Sequence, residues 1–214
     1  MKRIISLLTV LVLLLSCSAA SADAFTDLFS PFPHMSATLD KSTEDCVVKP
    51  TPEGMNHYAT DGSVILPWFA RQGTVLMVAI VMKGSGALRA PENVMVVTED
   101  YTYRLTLREN TEIASIDLDG QFFNMFLLGT DQVDMIRDIA QSNTVLFRFS
   151  KDQNFFEATE YALGAEARAI FGAVYEAYTR YDAVINSPLG DLVINNTANQ
   201  YCSFQKEKNT SVWD

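Results

Sequence analysis

The sequence contains few of the residues on which enzyme and metal sites are usually built. Among 214 residues there are two histidines, His34 and His57, and three cysteines. The Gly-x-Ser-x-Gly motif of serine hydrolases, the His-Glu-x-x-His motif of zinc proteases, the phosphate-binding loop and the dinucleotide-binding glycine motif do not occur. No cysteine pair has the close Cys-x-x-Cys spacing of zinc sites. The sequence therefore predicts no metal, no cofactor and no catalytic residue.

Positive charge is also scarce. The chain has 16 Lys and Arg residues against 26 Asp and Glu residues, and its formal net charge is −10. A surface of this sign repels nucleic acid and anionic membrane headgroups. We therefore expect no nucleic-acid partner.

The long apolar run at the N terminus is too short to span a membrane. Residues 4–15 carry no charge and follow Lys2 and Arg3, whereas a transmembrane helix needs about 20 apolar residues. A positive start followed by a short apolar stretch is typical of a cleaved export signal. The sequence therefore predicts an extracytoplasmic protein, either periplasmic or anchored to the outer membrane.

Two cleavage sites compete. Leu14-Leu15-Ser16-Cys17 resembles the lipobox of bacterial lipoproteins, in which the cysteine becomes the lipid-modified N terminus. Ala20-Ser21-Ala22 and Ala22-Asp23-Ala24 instead fit ordinary signal peptidase cleavage. Contact with a membrane is expected only through a lipid anchor at Cys17. Loss of Lys2 and Arg3 lowers the net charge by two, from −10 to −12.

Once Cys17 is lipidated or removed, two cysteines are left that can form a disulfide: Cys46 and Cys202. Disulfides form and persist in exported proteins, so we expect these two to bond. The loop between them holds about 156 residues, and closing a loop of this length stabilises a fold by about 4–5 kcal/mol.

The chain divides into four predicted segments. Residues 1–17 form the export signal and residues 18–63 a lead-in with turns. Residues 64–205 form a single globular domain, and residues 206–214 a polar tail. Phenylalanines in the lead-in either pack onto the domain or form part of a binding surface.

Hydrophobic periodicity predicts strands and two helices within the domain. Asp119-Gly120, between two apolar runs, indicates a hairpin, and Thr130 or Asp131 suits the N-cap of the first helix. Helices are predicted at 130–141 and 165–181, and strands at 75–82, 93–98, 103–107, 112–118, 121–128, 144–149, 155–162 and 192–194. Because strands and helices do not alternate regularly, the pattern favours an α+β fold. We expect mainly antiparallel β-sheet, or a β-sandwich, with two packed α-helices.

One stretch resembles a known class of proteins. The sequence resembles the invasion-associated-locus-B class of periplasmic proteins in the order of its segments. The matching segments are residues 134–140, 145–149 and 161–164, and the last of them leads into an alanine-rich helix. The resemblance implies a periplasmic β-sandwich without catalytic machinery, and it assigns no site residue.

Two residues stand out as candidates for ligand contact. Trp68 follows a segment rich in turn residues, and His57 is one of the two imidazoles. We expect a non-catalytic accessory protein of the bacterial cell envelope that binds an unknown envelope protein or a small ligand. The alternatives are an exported hydrolase that uses His57 with an unseen serine or carboxylate, and a lipid carrier lined by aromatic residues.

Overall fold

The computed structural model describes residues 24–73, 75–84, 91–107, 115–118, 121–128, 132–180 and 202–209. These residues form eleven strands and three helices of six or more residues. The helices are α1 (Pro52–His57), α2 (Asp134–Gln141) and α3 (Ala165–Arg180). The strands are β1 (Met35–Leu39), β2 (Cys46–Pro50), β3 (Val64–Gln72), β4 (Val75–Gly84), β5 (Asn93–Val97), β6 (Tyr101–Leu107), β7 (Ser115–Leu118), β8 (Gln121–Leu128), β9 (Leu146–Ser150), β10 (Thr159–Ala162) and β11 (Cys202–Lys208).

The strands form two antiparallel sheets. The first sheet has the order β1-β2-β3-β4-β8-β7, and the second has the order β10-β9-β5-β6-β11. All the strand pairs are antiparallel. The expected α+β class with mainly antiparallel sheet is therefore confirmed.

Side-chain alternation determines which face of the second sheet is buried. Tyr103 and Leu105 on β6 lie in the core, whereas Arg104 and Thr106 between them are half-buried. This is the period of two that the sequence shows, since successive strand residues point to opposite faces. The core face of this sheet also includes Val94, Val96, Phe147 and Phe149.

The helices link the two sheets. Helix α3 packs against β3 of the first sheet and against α2. A Cβ at Gly172 of α3 would lie 3.5 Å from Ala140 of α2, so the two helices approach closely at this glycine. Residues from both sheets and from α2 and α3 belong to one buried apolar cluster. The described chain thus has a single continuous core.

Some element bounds differ from those predicted. Strand β10 begins at Thr159 rather than at 155, because residues 151–158 form turns that include the positive φ of Phe155, and β4 and β6 are each two residues longer than predicted. Helix α2 begins at Asp134, after Val133, and Val133 gives it no side-chain cap. Three predicted features lie outside the described residues: the helix caps Thr130 and Asp131, the turn at 119–120 and the strand at 192–194. The hairpin itself is present, since Leu118 pairs with Gln121.

Strands lie on both sides of the predicted domain boundaries at residues 64 and 205. Strands β1 and β2 fall in the expected lead-in and extend the first sheet, so the folded part already includes residues before Val64. Phe25 and Phe29 are buried in the core, as the packing alternative for the lead-in predicts. At the other end, β11 continues through Lys208, within the expected polar tail. Its polar sequence suits a strand at the edge of a sheet, where charged residues discourage pairing with another chain.

Within the described part of the chain, none of the helices has the length and apolar content needed to cross a membrane.

Candidate functional site

The two histidines of the chain meet on the surface of the fold. His34 lies just before β1 and His57 at the end of α1, and their ring centroids are 5.4 Å apart. The His57 Nε2 atom lies 3.9 Å from the Glu166 Oε1 atom at the start of α3. The side chain of His57 is 41% exposed and that of Glu166 is 55% exposed. We call His34, His57 and Glu166 the histidine cluster.

The backbone holds His34 in a fixed position. His34 has a φ of 61°, in the left-handed region that few non-glycine residues occupy. Its carbonyl oxygen accepts a hydrogen bond of 2.9 Å from the Thr51 N–H. A Cβ at Gly54 would collide with that oxygen, so α1 can approach His34 only with glycine at this position.

Tyr58 supports both histidines. Its hydroxyl donates a hydrogen bond of 2.8 Å to the Pro33 carbonyl oxygen, and its ring meets the His57 ring edge-on at 4.7 Å. Burial, together with the charge of Glu166, raises the pKa of Tyr58 to about 12. The hydroxyl therefore remains a donor at neutral pH.

Trp68 lies elsewhere, on β3 in the first sheet. Its side chain is half-buried against the core, and its indole Nε1–H is buried and has no hydrogen-bond partner among the described residues. The Lys49 Nζ atom lies 5.9 Å from the centre of the ring. Across the sheet, Trp68 pairs with Ala79, which has only a methyl group. These residues, Trp68, Lys49 and Ala79, form what we call the tryptophan face.

The structure does not bring the two predicted ligand contacts together. No contact among the described residues joins Trp68 to His57. The described contacts of His57 are with His34, Tyr58 and Glu166, and none of them places a serine, threonine or cysteine nucleophile beside the imidazole. Among the described residues, no group of three or more His, Cys, Asp and Glu side chains could hold a metal ion.

A third cluster lies in the interior, around Asp138 of α2. Its carboxylate accepts a hydrogen bond from the Tyr103 hydroxyl, which is fully buried. The Arg137 Nε atom lies 2.9 Å from the Asp138 Oδ1 atom and the Lys206 Nζ atom 3.3 Å from Oδ2. The cluster ties α2 to β6 and β11. Because Tyr103 has no exposed surface, we interpret this network as structural.

The electrostatics of this network follow from its contacts. Burial alone raises the pKa of Asp138, but the hydrogen bonds from Tyr103 and Arg137 and the charges of Arg137 and Lys206 outweigh it. The pKa of Asp138 therefore lies below the ordinary value of an aspartate. Burial, and then the hydrogen bond to Asp138 and its charge, raise the pKa of Tyr103 well above that of a free phenol. Asp138 is thus ionised and Tyr103 protonated at neutral pH.

Cys46 is a buried free thiol in the structure. Burial raises its pKa to about 11, so the thiol is protonated and unreactive at neutral pH. Cys202 begins β11 in the other sheet, and its side chain lies outside the described residues. The Cys46–Cys202 disulfide remains a prediction, as does lipidation at Cys17, which also lies outside the described residues.

The loop between β9 and β10 buries one phenylalanine and exposes the next. Phe155, with a φ of 58°, is buried, and the Arg104 guanidinium lies 5.8 Å from the centre of its ring. Phe156 is 87% exposed. The Asp152 side chain fixes this turn by accepting a hydrogen bond of 3.2 Å from the Asn154 N–H. A single exposed aromatic is common on protein surfaces and does not by itself mark a site.

Comparison of the chain with protein-family models, with curated proteins and with solved structures found no match.

Sequence reasoning selected His57 and Trp68 but missed their surroundings. His34 and Glu166 are 23 and 109 positions from His57, and only the fold brings them near it. No sequence signal marks Glu166, because an acidic residue in the first turn of a helix is common there for its interaction with the helix dipole.

Proposed function

We propose that this chain is an exported, non-catalytic binding protein of the bacterial cell envelope, located in the periplasm or anchored to the outer membrane. Two features of the sequence support the location: the export signal at residues 1–17, and an acidic mature chain. The proposed role is to bind a small ligand or a partner through the tryptophan face.

The observation that carries the proposal is the indole Nε1–H of Trp68, which is buried without an acceptor in the part of the chain that the structure describes. Leaving a buried donor without an acceptor costs about 1–3 kcal/mol. The atom is covered by protein, so a ligand oxygen reaches it after a local movement of the neighbouring side chains, and the hydrogen bond formed there recovers that free energy. Buried polar groups without a partner are rare in native proteins and need an explanation.

The surroundings of Trp68 indicate the chemistry of the ligand. The ammonium group of Lys49 beside the ring favours an acceptor that carries negative charge. Ala79, opposite Trp68, is buried, whereas the Trp68 ring is partly exposed and offers an apolar surface to a ligand. We therefore propose a ligand with one acidic or strongly polarised oxygen and an apolar body.

The fluorescence of Trp68 tests the proposal. The sequence has two tryptophans, so the variant Trp213→Phe leaves Trp68 as the sole emitter. This variant is titrated with a fatty acid, a lysophospholipid, a muropeptide and an oligosaccharide. We expect one of the four to change the Trp68 emission saturably, and Lys49→Ala to weaken that ligand about two- to fivefold, the equivalent of about 0.5–1 kcal/mol.

Lys41→Ala is the matched control, because Lys41 is an exposed lysine with no described ion pair or ring contact. It should leave the affinity unchanged. The proposal fails if none of the four compounds changes the emission of the folded variant, or if Lys49→Ala and Lys41→Ala have equal effects.

The same experiments separate the alternatives. A response only to the fatty acid or the lysophospholipid identifies the lipid carrier as the form that the proposed binding takes. An exported hydrolase built on His57 would release product from one of the compounds, and His57→Ala would abolish that release. The contact between His57 and Glu166 provides an acid to orient the imidazole, but the described contacts provide no nucleophile.

A further inference from the structure

We infer that His34 and His57 form a binding site for a single divalent cation of the imidazole-preferring type, such as Ni²⁺, Cu²⁺ or Zn²⁺. The inference is independent of the tryptophan face, since no described contact joins the two places. Neutral imidazole is a common ligand for these late first-row cations. The chain places its two histidines side by side on an accessible surface.

The separation of the rings matches the requirement of a shared cation. With a metal–nitrogen bond of about 2.0–2.1 Å and a ring centre about 1.1 Å beyond the nitrogen, two imidazoles on a tetrahedral ion have their centres about 5.2 Å apart. The observed distance between the centroids is 5.4 Å. The distance between the rings therefore fits a shared ion once rotation about the side-chain bonds turns one nitrogen of each ring towards it.

The protein provides two ligands, and water provides the remainder. No third His, Cys, Asp or Glu side chain in the described ranges completes a metal site, so the two imidazoles are the protein ligands. Because His57 is 41% exposed, solvent reaches the site and the open coordination positions. Two ligands predict moderate affinity and a preference for cations that bind imidazole strongly.

Glu166 is a positioning residue in this site. Metal-binding histidines usually direct their second nitrogen towards a carboxylate, which orients the ring and increases its basicity. The Glu166 carboxylate lies 3.9 Å from the His57 Nε2 atom, close enough for a small side-chain rotation to form this contact. Its negative charge also favours a cation nearby.

The backbone preorganises the site. Three contacts fix the segment that carries His34. They are the hydrogen bond between the His34 carbonyl and the Thr51 N–H, the close approach at Gly54, which has no side chain, and the hydrogen bond from the Tyr58 hydroxyl to the Pro33 carbonyl. A ligand that is already in place loses less conformational entropy on binding, and this increases affinity. Preorganisation therefore partly offsets the small number of protein ligands.

Isothermal titration of the untagged mature chain with NiCl₂ and with ZnCl₂ tests the inference. A polyhistidine tag must be absent, because it would bind both ions. We expect one site per chain. His34→Asn and His57→Asn should each weaken binding at least tenfold. Asparagine is chosen at position 34 because it tolerates the positive φ of that residue.

Glu166→Gln should weaken binding about tenfold, since loss of a supporting carboxylate typically costs 10- to 100-fold in metal affinity. Glu157→Gln is the matched control at an exposed glutamate that has no described ion pair. It should leave binding unchanged. Circular dichroism and thermal unfolding establish that each variant is folded.

Either of two results overturns the inference. The first is that the folded wild-type chain binds neither ion with a Kd below about 1 mM. The second is that His34→Asn or His57→Asn binds the ion with unchanged affinity. Equal affinities for Glu166→Gln and Glu157→Gln would remove Glu166 from the site.

Discussion

The buried hydrogen bond between Tyr103 and Asp138 should stabilise the fold measurably. Tyr103→Phe removes the hydroxyl that donates to the Asp138 carboxylate. Hydrogen bonds to charged groups contribute about 1.5–3 kcal/mol. For a chain of this length 1 kcal/mol corresponds to roughly 2–4 °C in Tm. A loss of about 2 kcal/mol therefore predicts a Tm lower by about 4–8 °C.

Asp138→Ala should cost more, about 3–5 kcal/mol, because it leaves the fully buried Tyr103 hydroxyl without its acceptor and the cations of Arg137 and Lys206 without their carboxylate. The loss should fall at the lower end of that range. The side chains of Arg137 and Lys206 are each about one-third exposed, so water replaces part of their interaction with the carboxylate.

Urea unfolding followed by circular dichroism measures these losses, and a double-mutant cycle of Tyr103→Phe with Asp138→Asn isolates the pair. We expect a coupling energy of at least about 1 kcal/mol, because residues in one network are not additive. Tyr161→Phe is the control, since its hydroxyl donates only a 3.3 Å hydrogen bond to the uncharged Ser63 carbonyl. Additive effects in the cycle, or a Tyr103→Phe loss no larger than that of Tyr161→Phe, would refute this reasoning.

The pH dependence has a definite sign. The pKa of Asp138 is lower in the folded state than in the unfolded chain, where it is about 3.9. The carboxylate thus stabilises the fold fully above about pH 5 and loses this contribution as the pH falls below about 4. The stability difference between wild type and Asp138→Asn should be constant from pH 5 to 8 and shrink below pH 4.

Three further outcomes are expected. In urea unfolding, Phe155→Ala should destabilise the fold by about 3–5 kcal/mol because the Phe155 ring is buried, and Phe156→Ala should change stability by less than about 0.5 kcal/mol because the Phe156 ring is exposed. Equal effects of the two variants would contradict the described loop. In the reduced native chain, Cys46 should resist iodoacetamide at pH 8 and react only on unfolding, because its pKa is raised to about 11; rapid native labelling of Cys46 would contradict its burial. If Cys46 bonds Cys202, the intact mass of the chain isolated from an oxidising compartment should be lower than the mass of the reduced chain by two hydrogens. The mass of the N-terminal peptide distinguishes a lipidated Cys17 from cleavage at a later position.

The elements best predicted from sequence are those whose side chains have one dominant periodicity. Strand β6 alternates apolar and polar residues because one face meets the core, and α3 repeats apolar residues at helical spacing because one side packs on β3 and α2. Strand β4 is a continuous apolar run because both its faces are largely buried. In each case local burial determines the pattern, so the pattern identifies the element.

Three of the missed strands, β1, β2 and β11, lack such a periodicity; the apolar strand β3 and the short helix α1 were also not predicted. Strands β1 and β2 are short and mix threonine, lysine and proline, because β1 lies at the edge of the first sheet. Strand β11 has a charged sequence for the same reason, and its pairing with β6 depends on residues about 100 positions away. Long-range pairing of an edge strand leaves little trace in the local sequence.

The candidate sites were predictable only as single residues. An imidazole and an indole near turns were reasonable candidates, but the pairing of His34 with His57 depends on the positive φ at His34 and on the close approach of α1 at Gly54. That no described residue offers an acceptor to the Trp68 indole is a property of the packed sheet. A single sequence does not show which polar atoms the fold leaves unpaired.

Native mass spectrometry of the chain recovered from the bacterial envelope without denaturant tests the central claim most directly. If the tryptophan face holds a ligand, the wild-type chain and the Trp213→Phe variant should both have an additional non-covalent mass, and Trp68→Phe should lose it. Wild-type chain without additional mass, or an additional mass that Trp68→Phe retains undiminished, would contradict the proposed role of Trp68.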